Sequence, residues 1–173
     1  MKEVLVALAK YKQGVDESLL GILEKTGEDK LTAPMGTFFP TVYDQLKHLF
    51  GADVNYFKRI GPALPKNATL AKSRFLAYDA AALKTLGVSQ RAQLFADMRE
   101  IDRDAYAFVS GLGVEDFSTP VTYKNYQGQT ETHELWKLLL HWFNHGVHHR
   151  GTISGQLDML GVENDYSGLL QKI

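Results

Sequence analysis

The sequence of 173 residues contains no cysteine. That absence excludes disulfide bonds, thiolate metal sites and a cysteine nucleophile, and with them the class of small secreted domains held together by disulfides. It leaves the redox compartment undetermined, because a chain without thiols is compatible with either environment. Any metal site or nucleophile in this chain must therefore be built from other residue types.

The chain also lacks long apolar runs and an excess of charge of one sign. No segment reaches the ~18 consecutive apolar residues of a membrane-spanning helix, and the apolar start is interrupted by Glu3 and Lys10, which argues against a signal peptide. The formal net charge is -1, and the sequence presents no basic face of the kind that nucleic-acid-binding proteins carry. We therefore expect a cytoplasmic protein with no membrane or nucleic-acid partner.

Apolar residues at three-to-four spacing predict four long helices. Pro40 suits the first position of the second helix, Ser89 is a candidate N-cap of the third, and Gly161 is a candidate C-cap of the fourth. A length of 173 residues with 45% hydrophobic residues suits one domain, 1–173, that buries a core without covalent staples. The predicted helices span 2–25, 40–60, 89–110 and 132–160.

The segments between these helices are irregular. We predict a loop at 64–72 and a short helix at 75–86. Residues 119–130 contain β-branched and aromatic residues around Gly128, which predicts a small hairpin. The fold expected is all-α: an antiparallel four-helix bundle with a long connection between helices 2 and 3 and a small hairpin before helix 4.

The histidines are concentrated in the fourth predicted helix, where four of the six lie within nine residues: His141, His145, His148 and His149. His145 and His149 are four residues apart, so their imidazoles project from one face of the helix. The same spacing supplies the zinc ligands of a His-Glu-x-x-His helix, but Gly146 and Val147 stand between this pair. The glutamate base of that motif is missing, which excludes a zincin-type protease. We interpret His145 and His149 as two ligands of a divalent metal.

A third ligand must come from another helix, because two histidines do not complete a site. His48 is the only histidine elsewhere in a long predicted helix. Three neutral imidazoles with an open position could activate water or polarise a substrate oxygen. His141 and His148 would then take supporting or packed roles. The alternative, in which the histidines only pack against neighbours, stays open at this point because helical histidine pairs are common.

Three further residues are candidates for supporting roles around this site. Asp44, one turn before His48, could accept a hydrogen bond from a ligand ring, although a solvated position on the helix is the simpler interpretation. Trp142 either walls a pocket or packs in the core. Arg150 points roughly 140° away from His145 around the helix, so we assign it a structural ion pair rather than a clamp for an anionic substrate.

The segment LHWFNHGVHHRGTISGQL, residues 140–157, resembles the signature helix of the DinB family of DinB/YfiT-like metalloenzymes. The pair Asn144-His145 and the run His149-Arg150-Gly151 carry the resemblance, together with the position of His48. The resemblance implies a bundle in up-down-down-up order, a nickel, zinc or similar ion on His48, His145 and His149, and a homodimer. The chain departs from the pattern at Thr152, where glutamine is usual.

Related members of that family are thiol-dependent S-transferases or isomerases, so the resemblance implies thiol chemistry at a metal. Because this chain has no cysteine, the thiol would be an external low-molecular-weight compound, and thiolate sulfur suits zinc and similar borderline metals. We predict a metal-dependent enzyme, an S-transferase or a hydrolase, with an unidentified small-molecule substrate. Two alternatives stay open: a module that binds a metal or small molecule without turnover, and a structural dimerisation bundle.

Overall fold

The stretches with apolar periodicity form most of the secondary structure. The computed structural model describes all 173 residues and is mainly helical, as expected, with one antiparallel hairpin. Short 3-10 helices occupy Gly61–Ala63, Arg74–Ala77, Ala80–Lys84, Val88–Gln90 and Glu115–Ser118. The other elements are α1 (Lys2–Lys25), α2 (Glu28–Leu31), α3 (Val42–Ile60), α4 (Ala68–Lys72), α5 (Arg91–Ser110), β1 (Pro120–Lys124), β2 (Thr130–Glu134) and α6 (Leu135–Met159).

Side-chain and glycine caps set the start of α3 and the end of α6. Oγ1 of Thr41 accepts a hydrogen bond from the backbone N–H of Asp44 at 3.0 Å, so Thr41 is the N-cap and the expected start at Pro40 is too early. Gly161 follows α6 with a φ of 64°, and its N–H donates to the carbonyl of Asp158 at 3.0 Å. Glycine adopts this left-handed conformation without strain, so the predicted stop is confirmed.

The starts of α5 and α6 differ from the predictions. Ser89 is not an N-cap: the N–H of Gln90 donates to the carbonyl of Gly87 at 2.9 Å and closes a 3-10 turn before α5 begins at Arg91. Oε1 of Gln90 also accepts from the N–H of Gly87 at 3.3 Å. Thr132 was expected to begin the last helix, but it lies within β2 and pairs with β1. The hairpin ladder therefore takes residues that the apolar pattern had assigned to α6.

The connection between α3 and α5 is also more structured than the sequence suggested. The predicted loop at 64–72 contains α4, which Asn67 caps with its side chain. The single helix predicted for 75–86 is wrong, because two of the 3-10 helices occupy this segment. Asp79 lies between them, and its carboxylate accepts from the N–H of Ala81 at 3.0 Å, which starts the second turn.

The hairpin expected before the last helix is present. Gly128 lies in its turn with a φ of 79°, a conformation that favours glycine. Val121 of β1 is fully buried and anchors the hairpin to the core. Its second strand extends to Glu134, beyond the predicted end at Thr130.

The hydrophobic core is one cluster of 38 buried residues to which all four long helices contribute. In it α1 packs against α5 and α6, and α3 packs against α6. Contact between α3 and α6 brings the two histidine-bearing helices together. None of the helices combines the length and apolar composition needed to cross a lipid bilayer.

Five charged side chains lie inside this core and join the four long helices; we call them the core ion cluster. Nζ of Lys12 on α1 lies 3.0 Å from a carboxylate oxygen of Asp16 and 2.9 Å from one of Asp53 on α3, and it also contacts Asp102 on α5. Arg150 on α6 pairs with Asp16 at 3.2 Å. None of the five is more than 4% exposed, so each charge depends on its partners for compensation.

The core ion cluster has one more carboxylate than it has cations. Burial raises the pKa of Asp53, and it raises that of Asp102 well above the usual range, despite the opposing charge of Lys12. Burial acts in the same direction on Asp16, but Lys12 and Arg150 outweigh it and lower the pKa. Burial alone would lower the pKa of Lys12, yet the three carboxylates outweigh it and raise that pKa well above the ordinary value. A proton retained by Asp102 would neutralise the cluster.

Candidate metal centre

Three histidine rings from two helices converge on one point. His48 lies in the middle of α3, and His145 and His149 lie one turn apart on α6. Nε2 of His149 is 3.1 Å from Nε2 of His48 and 2.9 Å from Nε2 of His145. Ligands ~2.0–2.1 Å from a tetrahedral ion are about 3.3 Å apart, so these nitrogens are near the separation of a metal-ligand set.

The protonation of the three rings suits metal binding. Burial, reinforced by the neighbouring histidines, lowers the pKa of His149 to about 3 and that of His145 to about 4. Burial also lowers the pKa of His48. The rings are therefore neutral at pH 7, and neutral imidazole is the form that binds a metal ion. The three-histidine group could hold a divalent ion.

Gln45 contacts the ring of His149 on the side away from this point. Its Nε2 lies 2.5 Å from Nδ1 of His149, and an amide donating there leaves the ring proton on Nε2. Binding of a metal through Nε2 requires the other tautomer, with the proton on Nδ1. Rotation of the Gln45 amide would then present Oε1 as the acceptor. Gln45 can thus satisfy His149 in both tautomers.

A loop side chain completes the surroundings of the histidines. The ring of Phe39 stacks on His48 with 4.3 Å between ring centroids. The loop is fixed from α6, because Nε2 of Gln156 donates to the carbonyl of Phe39 at 3.3 Å and to Oγ1 of Thr37 at 2.9 Å. Nδ1 of His145 is buried without a hydrogen-bond partner, so only the neighbouring histidines constrain its tautomer.

A cavity of about 880 Å³ opens beside the three histidines. His48 and His145 form part of its wall, and Phe39, Tyr56 and Leu83 contribute apolar and aromatic surface. Its size falls in the range of small-molecule sites, roughly 300–1,000 Å³. The group of convergent ligand atoms contains only the three histidines, which are the residues that would hold an ion here.

The supporting residues proposed from the sequence take different places. His141 lies in the cavity wall, with its ring centroid 6.3 Å from that of His145. Asp44 also lines the cavity, but its carboxylate accepts from Thr41 and pairs with Lys47 at 3.1 Å, and it contacts none of the three histidines. Its place is thus the capped helix start, and no ligand ring depends on it.

Trp142 is a core residue and does not line the cavity. It is 1% exposed, its ring stacks on Tyr56 with 5.3 Å between centroids, and its Nε1 donates to Asp53 at 2.5 Å. Arg150 forms a buried ion pair with Asp16, in line with the structural role expected for it. His148 is exposed beside His149, and His133 is exposed on the hairpin.

The sequence analysis assigned no role to Gln45 or to the members of the core ion cluster other than Arg150. The spacing of Gln45 and His48, three residues on one helix, placed the amide on the histidine face, and this signal alone could have suggested a partner for a ligand ring. Three carboxylates, Asp16, Asp53 and Asp102, also lie within metal-binding reach of one another. The ammonium of Lys12 already occupies the space between them.

Comparison with known proteins agrees with this geometry. The profile of the DinB family matches residues 1–168, which is nearly the whole chain and includes both helices of the histidine group. Neither a curated protein nor a solved structure matches the chain. A match of this extent, on a chain whose three convergent histidines are compatible with metal binding, establishes that the protein belongs to the DinB family.

Proposed function

We propose that this protein is a metal-dependent enzyme in which His48, His145 and His149 hold a divalent ion, nickel or zinc. The observation that carries the proposal is the convergence of three neutral Nε2 atoms, two of them on histidines that line a cavity, His48 and His145. Three imidazoles without a further protein ligand form an open site, which is the arrangement of catalytic rather than structural zinc centres. A binding module without turnover would more readily close the fourth position, and His141 does not belong to the convergent group.

In this proposal the residues of the chain bind the ion and orient the histidine rings. When bound, a divalent ion would supply a Lewis acid that activates water or a thiol. Gln45 fixes the ring of His149 from behind, and such partners of ligand histidines orient the ring and tune its basicity. Phe39 covers one face of His48 and excludes water from that side. His48 and His145 line the cavity, through which a substrate could reach them.

The reaction proposed is S-transfer or hydrolysis. In S-transfer an external low-molecular-weight thiol would attack an electrophilic carbon, since the chain has no cysteine; in hydrolysis water would take that place. Metal-loaded protein incubated with monochlorobimane and each of several small thiols would form a fluorescent thioether and release chloride. Absence of turnover with every thiol would exclude the transferase for those substrates and leave hydrolysis.

We also propose that the protein is a single domain in which the four long helices form a bundle in up-down-down-up order, and that it forms a homodimer. Leu140 and Val147 are 46% and 47% exposed on α6, and seven residues place them two turns apart on one face. An exposed apolar stripe of this kind favours association of two copies. Sedimentation equilibrium tests the dimer, and a monomer for Val147→Glu would locate its interface.

Metal content tests the central proposal. Untagged protein prepared with metal in excess should contain about one divalent ion per chain by elemental analysis. His145→Ala should lose the ion while its circular dichroism stays that of a folded helical protein. His133→Ala is the matched control, because His133 is exposed on the hairpin and its removal should leave the ion in place. Metal-free wild-type protein under these conditions would overturn the proposal.

A further inference from the structure

The cavity beside the metal centre carries uncompensated positive charge. Three cations, Lys47, Arg59 and Lys84, and a single carboxylate, Asp44, line it. Lys47 and Asp44 compensate each other at 3.1 Å. Arg59 and Lys84 have no acidic partner in the protein. A surplus of this kind in a protein of net charge -1 concentrates anions at the cavity.

Arg59 is held by aromatic rings rather than by a carboxylate. Its guanidinium carbon lies 4.5 Å from the ring centroid of Tyr123 on the hairpin and 5.7 Å from that of Tyr56 on α3. These are cation–π contacts, and they leave the guanidinium N–H groups without protein acceptors. Arg59 lines the same cavity as His48 and His145, so its charge lies in the wall that the histidines share.

The other arginine considered for anion binding is committed elsewhere. Arg150 is 4% exposed and pairs with Asp16 in the core ion cluster. Arg59 is therefore the guanidinium that a ligand in the cavity could reach. Lys84 is exposed, and its flexible chain adds a second positive charge at the rim.

We propose that the cavity binds a small organic acid, with the carboxylate on Arg59 and the apolar part against Phe39 and Leu83. The fork of a guanidinium matches the two oxygens of a carboxylate, and one fork with one flexible ammonium suits a single carboxylate group. Such a ligand would direct its reactive end toward His48 and His145 in the same cavity wall. Its assignment as the substrate rests on the proposed metal-dependent function, whereas its binding does not.

Binding to metal-free protein tests the proposal without activity. Hydrocinnamate, an aromatic carboxylate, and hydrocinnamide, its uncharged counterpart, would be titrated calorimetrically into chelator-treated protein. We expect the acid to bind about tenfold or more tightly than the amide, and Arg59→Gln to remove most of this preference, since charge-assisted hydrogen bonds are the stronger ones. Arg59→Lys, which keeps the charge and loses the fork, should be intermediate. Arg103→Gln, which removes an exposed arginine of α5, is the matched control and should bind like wild type.

The outcomes separate this inference from the metal proposal. Equal affinity for acid and amide, an unchanged acid affinity in Arg59→Gln, or no detectable acid binding to folded wild-type protein would each overturn it. Before chelator treatment, Arg59→Gln should have the same metal content as untreated wild type by elemental analysis. If the protein binds the acid through Arg59 but contains no metal, the proposed acid site stands and the proposed metal-dependent function is wrong.

Discussion

Replacing Lys12 by methionine removes the cation at the centre of the core ion cluster and should destabilise the protein strongly. Asp16 keeps Arg150 at 3.2 Å, but Asp53 and Asp102 lose their only cationic partner. Removing one member of a buried ion pair typically costs about 3–5 kcal/mol, because the remaining charge stays desolvated. A loss of that size is a large share of the roughly 5–15 kcal/mol by which a domain is stable.

Urea unfolding of metal-free protein at pH 7 measures this loss as a fall in the free energy of unfolding. Lys10→Met is the matched control, since Lys10 is exposed on the same helix and its replacement should change stability by less than about 0.5 kcal/mol. The double variant Lys12→Met with Asp102→Asn removes one charge of each sign. It should recover at least about half of the loss, because fewer buried carboxylates remain unpaired.

The pH dependence of stability gives an independent test of the same variant. The pKa of Asp102 is already raised by burial and lowered by Lys12, so removing Lys12 raises it further. The folded variant then takes up a proton at a higher pH than the unfolded chain does. Because the folded state binds more protons over that range, the free energy of unfolding increases as pH falls. The deficit of Lys12→Met should therefore shrink between pH 7 and pH 5. A deficit equal to that of Lys10→Met, or one that grows on acidification, would refute the reasoning.

Three further predictions concern the histidine helix and its surroundings. Gln45→Leu should weaken metal affinity about 10- to 100-fold in a chelator competition, because His149 loses its Nδ1 partner; unchanged affinity would remove Gln45 from the site. The pKa of His145 is lowered to about 4 and that of His149 to about 3, so protons compete with the metal only in acid. Metal affinity should therefore stay nearly constant between pH 7 and pH 6, a range over which a site of ordinary histidines would bind the metal more weakly. Gly146→Ala should lower the thermal midpoint of unfolding, because the new Cβ would lie 2.9 Å from the buried guanidinium of Arg150. Gly155→Ala should raise that midpoint, because the space around Gly155 is open and alanine has the higher helix propensity.

The helices and the histidine face could be predicted because their signals are local. The spacing of His145 and His149 already fixes their rings on one side of α6, and apolar periodicity located the four long helices. The helix starts were less predictable, because competing partners decide them. Serine is a common N-cap, but Ser89 lies inside a 3-10 turn that the backbone N–H of Gln90 closes on the carbonyl of Gly87. Thr132 pairs in the hairpin ladder instead of starting α6.

The core ion cluster as a whole could not be predicted, because most of its contacts join residues that are distant along the chain. Lys12 stands at helical spacing from the buried Ala9 and Val15, so the apolar period places it on the core face of α1. That period does not identify the carboxylates of other helices that pair with it. Its contact with Asp102 spans 90 residues, and that of Arg150 with Asp16 spans 134. The surroundings of Arg59 could not be predicted either, because its position beside the cavity depends on how the hairpin packs against α3. The sequence identified the three histidines that converge in the structure and left the surrounding charges undetermined.

Buried ion pairs add little net stability over well-packed apolar residues, so the core ion cluster needs another explanation, and orientation of α6 is the one its geometry supports. Trp142 donates to Asp53 on α3, and Arg150 pairs with Asp16 on α1. These two residues flank the histidine pair, and a shift of one residue would turn His145 and His149 about 100° away from His48. Apolar residues at all five cluster positions should therefore give a folded protein of similar or higher stability in urea, but one with weaker metal affinity in chelator competition. Wild-type affinity in such a variant would show that packing alone sets the rotation of α6.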